Sequence, residues 1–202
     1  DAVRVITNRS SGKQGYALAE AAAARGARVT LVSTVDRPVS PGIEVVSVGS
    51  AAEMEKAIVP VATDYDVIVM AAAVADFTVA NPAGNKIKKR PDGVVPALEL
   101  VPTHYFLVDL GEAKPAGQVL VGFAAETDDV LANATDKLRR KRLDLIVAND
   151  VAAPGTGFEH DTNAVTILGA DGTRRAVPLA SKRSIADAIL DEVVARLPER
   201  PR

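Results

Sequence analysis

Cysteine is absent from all 202 residues, which excludes disulfides, zinc–thiolate sites and a cysteine nucleophile. Aromatic side chains make up only 3% of the chain although hydrophobic residues reach 48%. Ala and Val carry much of that apolar content, a composition suited to close packing of helices on a sheet. A basic excess is also missing: the formal net charge is −2, against the strong positive balance that non-specific nucleic-acid binding requires. No apolar run is long enough to span a bilayer and no signal peptide is evident, so the cytoplasm is the expected compartment. Only two histidines occur. His104 and His160 lack metal-ligand spacing, and neither a Ser–His–Asp order nor an HExxH motif stands out, which argues against hydrolysis by an activated nucleophile or zinc.

The most informative stretch that is present is VRVITNRSSGKQGYALAEAAAARGARVTLV, residues 3–32. Apolar alternation at 3–7 and the β-branched run at 28–33 predict strands, with a helix over 12–25 between them. Ser11 followed three residues later by Gln14 fits a capping box. The turn offers free backbone N–H groups and a helix N-terminus at the carboxyl edge of a sheet, where α/β proteins bind anions. It matches neither well-known phosphate loop. Gly12-Lys13 is followed by Gln14 where a Walker loop needs Ser or Thr, and only Gly12 and Gly15 answer to GxGxxG.

Further strands are predicted at 43–48, 66–73, 118–124 and 144–148, and helices at 50–63, 128–142 and 182–197. This alternation predicts an α/β fold: a Rossmann-like, mostly parallel sheet with helices on both faces. The 202 residues fit a single domain. Two regions break the rhythm. Residues 77–102 contain Asn81-Pro82, Gly84 and the basic run Lys86, Lys88, Lys89, Arg90, then apolar alternation over 94–101; they read as a basic flap followed by a strand arm. Residues 151–163 read as a second long loop, ahead of a hairpin with strands at 164–168 and 173–177. Asp1 leads almost directly into a strand, so the chain reads as an excised piece of something longer.

Five segments end at one predicted edge: Asn8 with its turn, the stretch 71–76, the loop at Lys86, the stretch 123–126, and Asn149-Asp150. Asn8 serves either to satisfy a turn or to orient a carboxylate and stabilise an oxyanion. The small residues after Met70 suit either helix packing or a flat ligand lying on backbone. Asp76 is either a cap or an acceptor for ribose hydroxyls or a metal. The basic run is either a solvated loop or a lid over polyphosphate. Lys137 and Lys141 share a helix face; helix-dipole complementation explains them, and so does a triphosphate tail. Glu126 is read as a helix cap.

Taken together, ITNRSSGKQGYALAEAAAARGARVTLVS, AAAVADF, NKIKK, VGFAAET, KLRRKRLDLIVAND and the late GF…NAV resemble the phosphopantothenoylcysteine synthetase domain of the bacterial bifunctional coenzyme A biosynthesis protein. The resemblance implies a CTP-dependent ligase. The carboxylate of 4'-phosphopantothenate attacks the α-phosphate of CTP, and the amine of L-cysteine then displaces CMP. It implies Mg²⁺ with the triphosphate, and FMN only in a decarboxylase domain fused upstream. It also implies a homodimer, with 77–102 as flap and dimerisation arm, and no nucleic-acid or membrane partner. By position, Asn8 matches an essential asparagine that handles the acyl group and Lys86 matches a flap lysine. Met70, Ala71, Ala72, Asp76, Phe123, Lys137 and Lys141 match nucleotide contacts. At 103–107 the family usually has Asn-Pro-Asp and two aliphatics. Here Thr103, His104 and Tyr105 depart from that pattern, and only Phe106 and Leu107 match roughly, as nucleotide contacts. The family also places a strand and a glycine-rich turn just upstream of the position of Asp1. The alternatives from other classes are an NAD(P)- or flavin-dependent oxidoreductase on a similar sheet, disfavoured by the missing GxGxxG, and a non-catalytic nucleotide-binding module.

Overall fold

Strictly alternating burial along β6 (Val119–Glu126) and β7 (Leu145–Asp150) explains the architecture. Val119, Val121, Leu145 and Val147 enter one hydrophobic core, whereas Leu120, Ala124, Ile146 and Ala148 enter another. Strands buried on both faces read as continuous apolar runs, and helices must cover each side. One core is closed by α1 (Lys13–Ala24) and α5 (Lys182–Val194), through Leu18, Ala21, Ile185 and Ile189. The other is closed by α2 (Ala51–Ile58), α3 (Phe106–Ala113) and α4 (Val130–Arg140), through Met54, Phe106, Leu110 and Leu138. The protein is described by a computed structural model that covers residues 1–89, 91–94, 97–126, 129–150 and 160–199.

The main sheet has the order β3-β6-β7-β8-β9, with β3 at Val67–Met70, β8 at Thr162–Gly169 and β9 at Arg174–Ser181. β3, β6 and β7 are parallel, and the β8–β9 hairpin is joined antiparallel to β7. A separate parallel pair is formed by β1 (Val29–Ser33) and β2 (Ile43–Ser47). β4 (Phe77–Val79) and β5 (Leu100–Pro102) form a short antiparallel ribbon. The α/β class with a mainly parallel sheet and helices on both faces is thus observed.

Several expected elements are corrected. No strand forms over 3–7: these residues pair with nothing in a ladder, and Val3, Val5 and Ile6 are exposed. The capping box at Ser11 and Gln14 does not form. Gly12 is the N-cap at φ 68°, a left-handed conformation natural to glycine, and the Gln14 side chain turns away to donate to Lys182 O at 3.1 Å. The strand expected over 66–73 is shortened to β3, and the helix expected over 50–63 ends as a 3-10 turn (Val59–Asp64), where Pro60 lacks a backbone donor. The helix expected over 182–197 stops at Val194. Of the strand expected over 94–101, only its last two residues join β5; residues 95 and 96 lie outside the described residues. The loop expected over 151–163 lies largely outside them too, as do Arg90, Asp128 and the side chain of Glu126. The sequence reading missed α3, whose eight residues follow Tyr105 and bury Phe106, Leu110 and Gly111.

Candidate functional site

The carboxyl ends of β3, β6 and β7 share one edge with the N-termini of α1 and α5. Asn8 lies there, donating from Nδ2 to Ala73 O at 3.1 Å, so the turn before α1 is tied to the stretch that follows β3. The same stretch reaches Asp76, which accepts a hydrogen bond from the Tyr105 hydroxyl. Lys141, just past α4, places Nζ 5.0 Å from the Tyr105 ring centroid, a cation–π contact. Asp76, Tyr105 and Lys141 therefore form one cluster, joined to Asn8 through residues 71–76.

Positive charge gathers beside this cluster. Burial holds the Lys141 ammonium below its usual pKa, and the nearby Lys137 and Arg140 push it the same way, with only Asp76 opposing. A polyanion bound beside Lys141 would oppose these contributions by favouring the charged ammonium. Asp76, an exposed hard-oxygen donor, suits a magnesium ion carried by such an anion.

The remaining expected residues divide by exposure. Met70 and Phe106 are buried at 7% and 2% relative exposure, and Leu107 packs against the same core. For Met70 and Phe106 the backbone is what remains to face a ligand, whereas Leu107 is half-buried. Phe123 packs on the opposite core, under α1 and α5, and is not brought to Lys141. Ala71 and Ala72 line a cavity beside Gly12 and Gly15. Lys86, Lys88 and Lys89 are exposed, and the neighbouring Ile87 bonds Asp1 and Arg4 through its backbone.

Sequence reasoning missed two groups. Lys182 is buried at 8% exposure where Ser181 caps α5. Its pKa is lowered by burial and by Lys13, while Asp161 opposes. Lys13 itself pairs with Asp161 at 2.6 Å. Nearby along the edge, Gln14 Oε1 and Asn149 Oδ1 are buried acceptors without a hydrogen-bond donor among the described residues. The readable signal for Lys182 was the Ser181 cap after an alternating strand; Tyr105 carried none. His104, which lacks metal-ligand spacing in the sequence, has Nδ1 2.9 Å from Glu55 and Nε2 3.3 Å from Asp109.

Residues 1–197 match the family described as the DNA/pantothenate metabolism flavoprotein C-terminal domain. The coenzyme A biosynthesis bifunctional protein CoaBC of Bacillus subtilis (strain 168) is 48% identical over 198 residues, covering 96% of this chain and 48% of that protein. The CoaBC protein of Mycobacterium bovis (strain ATCC BAA-935 / AF2122/97) is 46% identical over 208 residues, covering 98% and 49%. The chain thus spans about half the length of these curated relatives. Among solved structures, the C-terminal domain of a CoaBC protein superposes with a TM-score of 0.78 at 38% identity, covering 96% of this chain and 86% of that one. A Cab2 mutant solved in complex with phosphopantothenate-cysteine shares the fold, with a TM-score of 0.70 at 22% identity over 96% of this chain and 80% of its own.

Proposed function

This chain belongs to the family of DNA/pantothenate metabolism flavoprotein C-terminal domains, and from that premise we propose that it joins 4'-phosphopantothenate to L-cysteine at the expense of CTP, in coenzyme A biosynthesis. The names of the CoaBC relatives support the pathway, and the phosphopantothenate-cysteine bound to Cab2 supports the product. The observation that supports the reading is the cluster of Asp76, Tyr105 and Lys141 at the sheet edge where Asn8 lies, with the half-buried Lys141 ammonium held below its usual pKa first by burial and then by Lys137 and Arg140.

In the proposed reaction a carboxylate oxygen of phosphopantothenate attacks the α-phosphorus of CTP. The bond to the β-phosphate oxygen breaks and pyrophosphate leaves with the electron pair. The amine of cysteine then attacks the acyl carbon, CMP departs, and the amine gives up a proton as the amide forms. No covalent enzyme intermediate is required, so the protein contributes positioning and charge. Lys137 and Lys141 hold the phosphates. Asp76 accepts from the nucleotide, with Met70, Ala71, Ala72, Phe106 and Leu107 as further contacts. Asn8 donates to the oxygen that gains charge at the acyl group, and Lys86 closes from the basic flap over the departing pyrophosphate. Asp76 would hold a magnesium ion bound with the triphosphate, which would supply charge neutralisation. In the longer polypeptide that the relatives exemplify, a flavin-dependent decarboxylase unit precedes this one, and two copies pair through the arm of β4 and β5.

The test is incubation of the protein with phosphopantothenate, cysteine, Mg²⁺ and one nucleotide at a time, followed by mass detection of the cytidylate intermediate, the amide and CMP. Product with CTP is expected. Calorimetric binding of NADPH with no binding of CTP would overturn the assignment in favour of an oxidoreductase.

A further inference from the structure

Glu55 of α2 and Asp109 of α3 meet His104 outside the core that the two helices share through Met54, Phe106 and Leu110. One ligand atom from each of the three, an imidazole nitrogen and two carboxylate oxygens, lies within 4.8 Å of the others. His104 Nδ1 is 2.9 Å from Glu55 Oε1, and Nε2 is 3.3 Å from Asp109 Oδ2. Two properties set this trio apart from an ordinary surface ion pair. Among the described residues neither carboxylate has a Lys or Arg partner, so both rely on one imidazole and the trio stays negative whether or not His104 is protonated. A neutral imidazole also has only one N–H for its two nitrogens. It donates to one carboxylate, and the other then faces a lone pair. A divalent cation resolves both conflicts, by neutralising the carboxylates and by turning a lone-pair contact into ligand bonds.

We propose that Glu55, His104 and Asp109 bind a divalent transition-metal ion of the zinc class, with one side-chain atom each and water in the remaining positions. The imidazole nitrogen selects this class over magnesium, which takes oxygen ligands and keeps its waters. The chain has no Cys and only two His, so a nitrogen-ligated metal has two side chains to choose from. Among the described residues, His104 is the one with two carboxylates in reach. Ligand bonds of about 2.0–2.2 Å place neighbouring ligand atoms roughly 3.0–3.5 Å apart, so binding draws the widest pair together by about 1–2 Å. The imidazole, 59% exposed, is free to turn one nitrogen between the carboxylates. An ion held this way ties α2 to the start of α3 across 49 positions of sequence. Tyr105, which bonds Asp76, follows His104 directly, so the ion also braces the backbone beside the candidate site without entering it.

The test is calorimetric titration of the protein with Zn²⁺ in the absence of nucleotide, with the ring nitrogens of both histidines followed by NMR. One ion per chain is expected, shifting the ring nitrogens of His104 and leaving those of His160 in place. His104→Gln is expected to weaken binding by more than the roughly 10–100-fold that loss of a second-shell partner costs, and Glu55→Gln and Asp109→Asn by at least about tenfold each. Mg²⁺ in roughly hundredfold excess is expected to leave Zn²⁺ bound. The NMR shifts are read on the unsubstituted chain, so they decide the matter even if a variant fails to fold. Absence of Zn²⁺ binding overturns the proposal, and so does binding that shifts His160 instead or survives His104→Gln unchanged. Binding lost in His104→Gln but unchanged in both carboxylate variants reduces to a lone surface histidine and overturns the three-ligand site. Displacement by Mg²⁺ overturns the choice of metal class. None of these readouts depends on the ligase reading.

Discussion

Gly111→Ala is expected to damage the candidate site from within the core. Gly111 lies in α3 with its Cα facing the end of α4: a methyl there meets the backbone carbonyl oxygen of Lys141, with the carbonyl carbon at 3.1 Å and Arg142 Cβ at 3.3 Å. Alanine gains about 1 kcal/mol of helix propensity over glycine. Forcing an extra carbon into a packed contact costs about 1–3 kcal/mol, and the upper end applies because a carbonyl cannot rotate aside as a side-chain terminus does. The net loss is about 2 kcal/mol, which for a chain of this size lowers Tm by roughly 4–8 °C. The displaced residue is the one whose Nζ lies over Tyr105, so nucleotide affinity should fall together with stability. Scanning calorimetry and CTP titration of the same preparation measure both. Gly84→Ala is the control, since nothing lies within 4 Å of a Cβ at that position. A Gly111→Ala protein with unchanged Tm and unchanged CTP affinity would show that α3 and α4 are not in close backbone contact.

Asn8→Ala removes one donor from the proposed acyl site and should slow amide formation by about 10²–10³-fold while CTP still binds, as a coupled pyrophosphate-release assay would register; an unchanged rate refutes the role. Lys86→Ala should lower the single-turnover rate of nucleotidyl transfer by on the order of 10²-fold, and a wild-type rate would remove Lys86 from the flap function. Lys141 gives a pH signature. Its pKa is lowered in the folded protein from 10.5, so the free protein has lost that proton in the window just below 10.5 and a polyanion restores it. Calorimetry of CTP binding in two buffers of different ionisation enthalpy should report proton uptake there and none at neutral pH. By the same sign, the unfavourable charge of Lys141 weighs on folding below its folded pKa and fades as pH rises past 10.5. Asp171 is lowered to about 2, first by the Thr173 side chain and backbone and then by Arg196. Its contribution is complete above 3.8 and lost as pH falls through about 2, and the carboxyl carbon should titrate there by NMR.

The strands and helices that pack on both faces were legible because their apolar periods are strong. Val119–Ala124 and Leu145–Ala148 are almost uninterrupted, and such runs admit few alternatives. Residues 3–7 show why a local pattern can mislead: Val3, Val5 and Ile6 carry the right alternation, but a strand exists only where a ladder and a burial partner exist, and Arg4 fits no site buried on both faces. α3 was missed because its eight residues carry an internal glycine, and Gly111 is retained for the close approach of Lys141 rather than for helix propensity. Of the candidate site, Asn8, Asp76 and Lys141 were named from sequence, yet the link through Tyr105 was not, because no spacing rule joins residues 76, 105 and 141. Lys182 escaped for a similar reason: burial of a lysine is a tertiary fact.

The β8–β9 hairpin has a consequence that comes down to parity. Each antiparallel step reverses the direction of the chain across the sheet. Two steps, β7 to β8 and β8 to β9, restore it. β9 therefore finishes at Ser181 on the edge where β7 finishes, and α5 opens there with Lys182 at its first turn. With one added strand, or none but a single reversal, α5 would start at the far end of the sheet and carry Lys182 away from Lys13 and Asp161. An even number of reversals is what allows two helices distant in sequence, α1 and α5, to direct their N-termini at a common point. Insertions in this region should be tolerated only as whole hairpins.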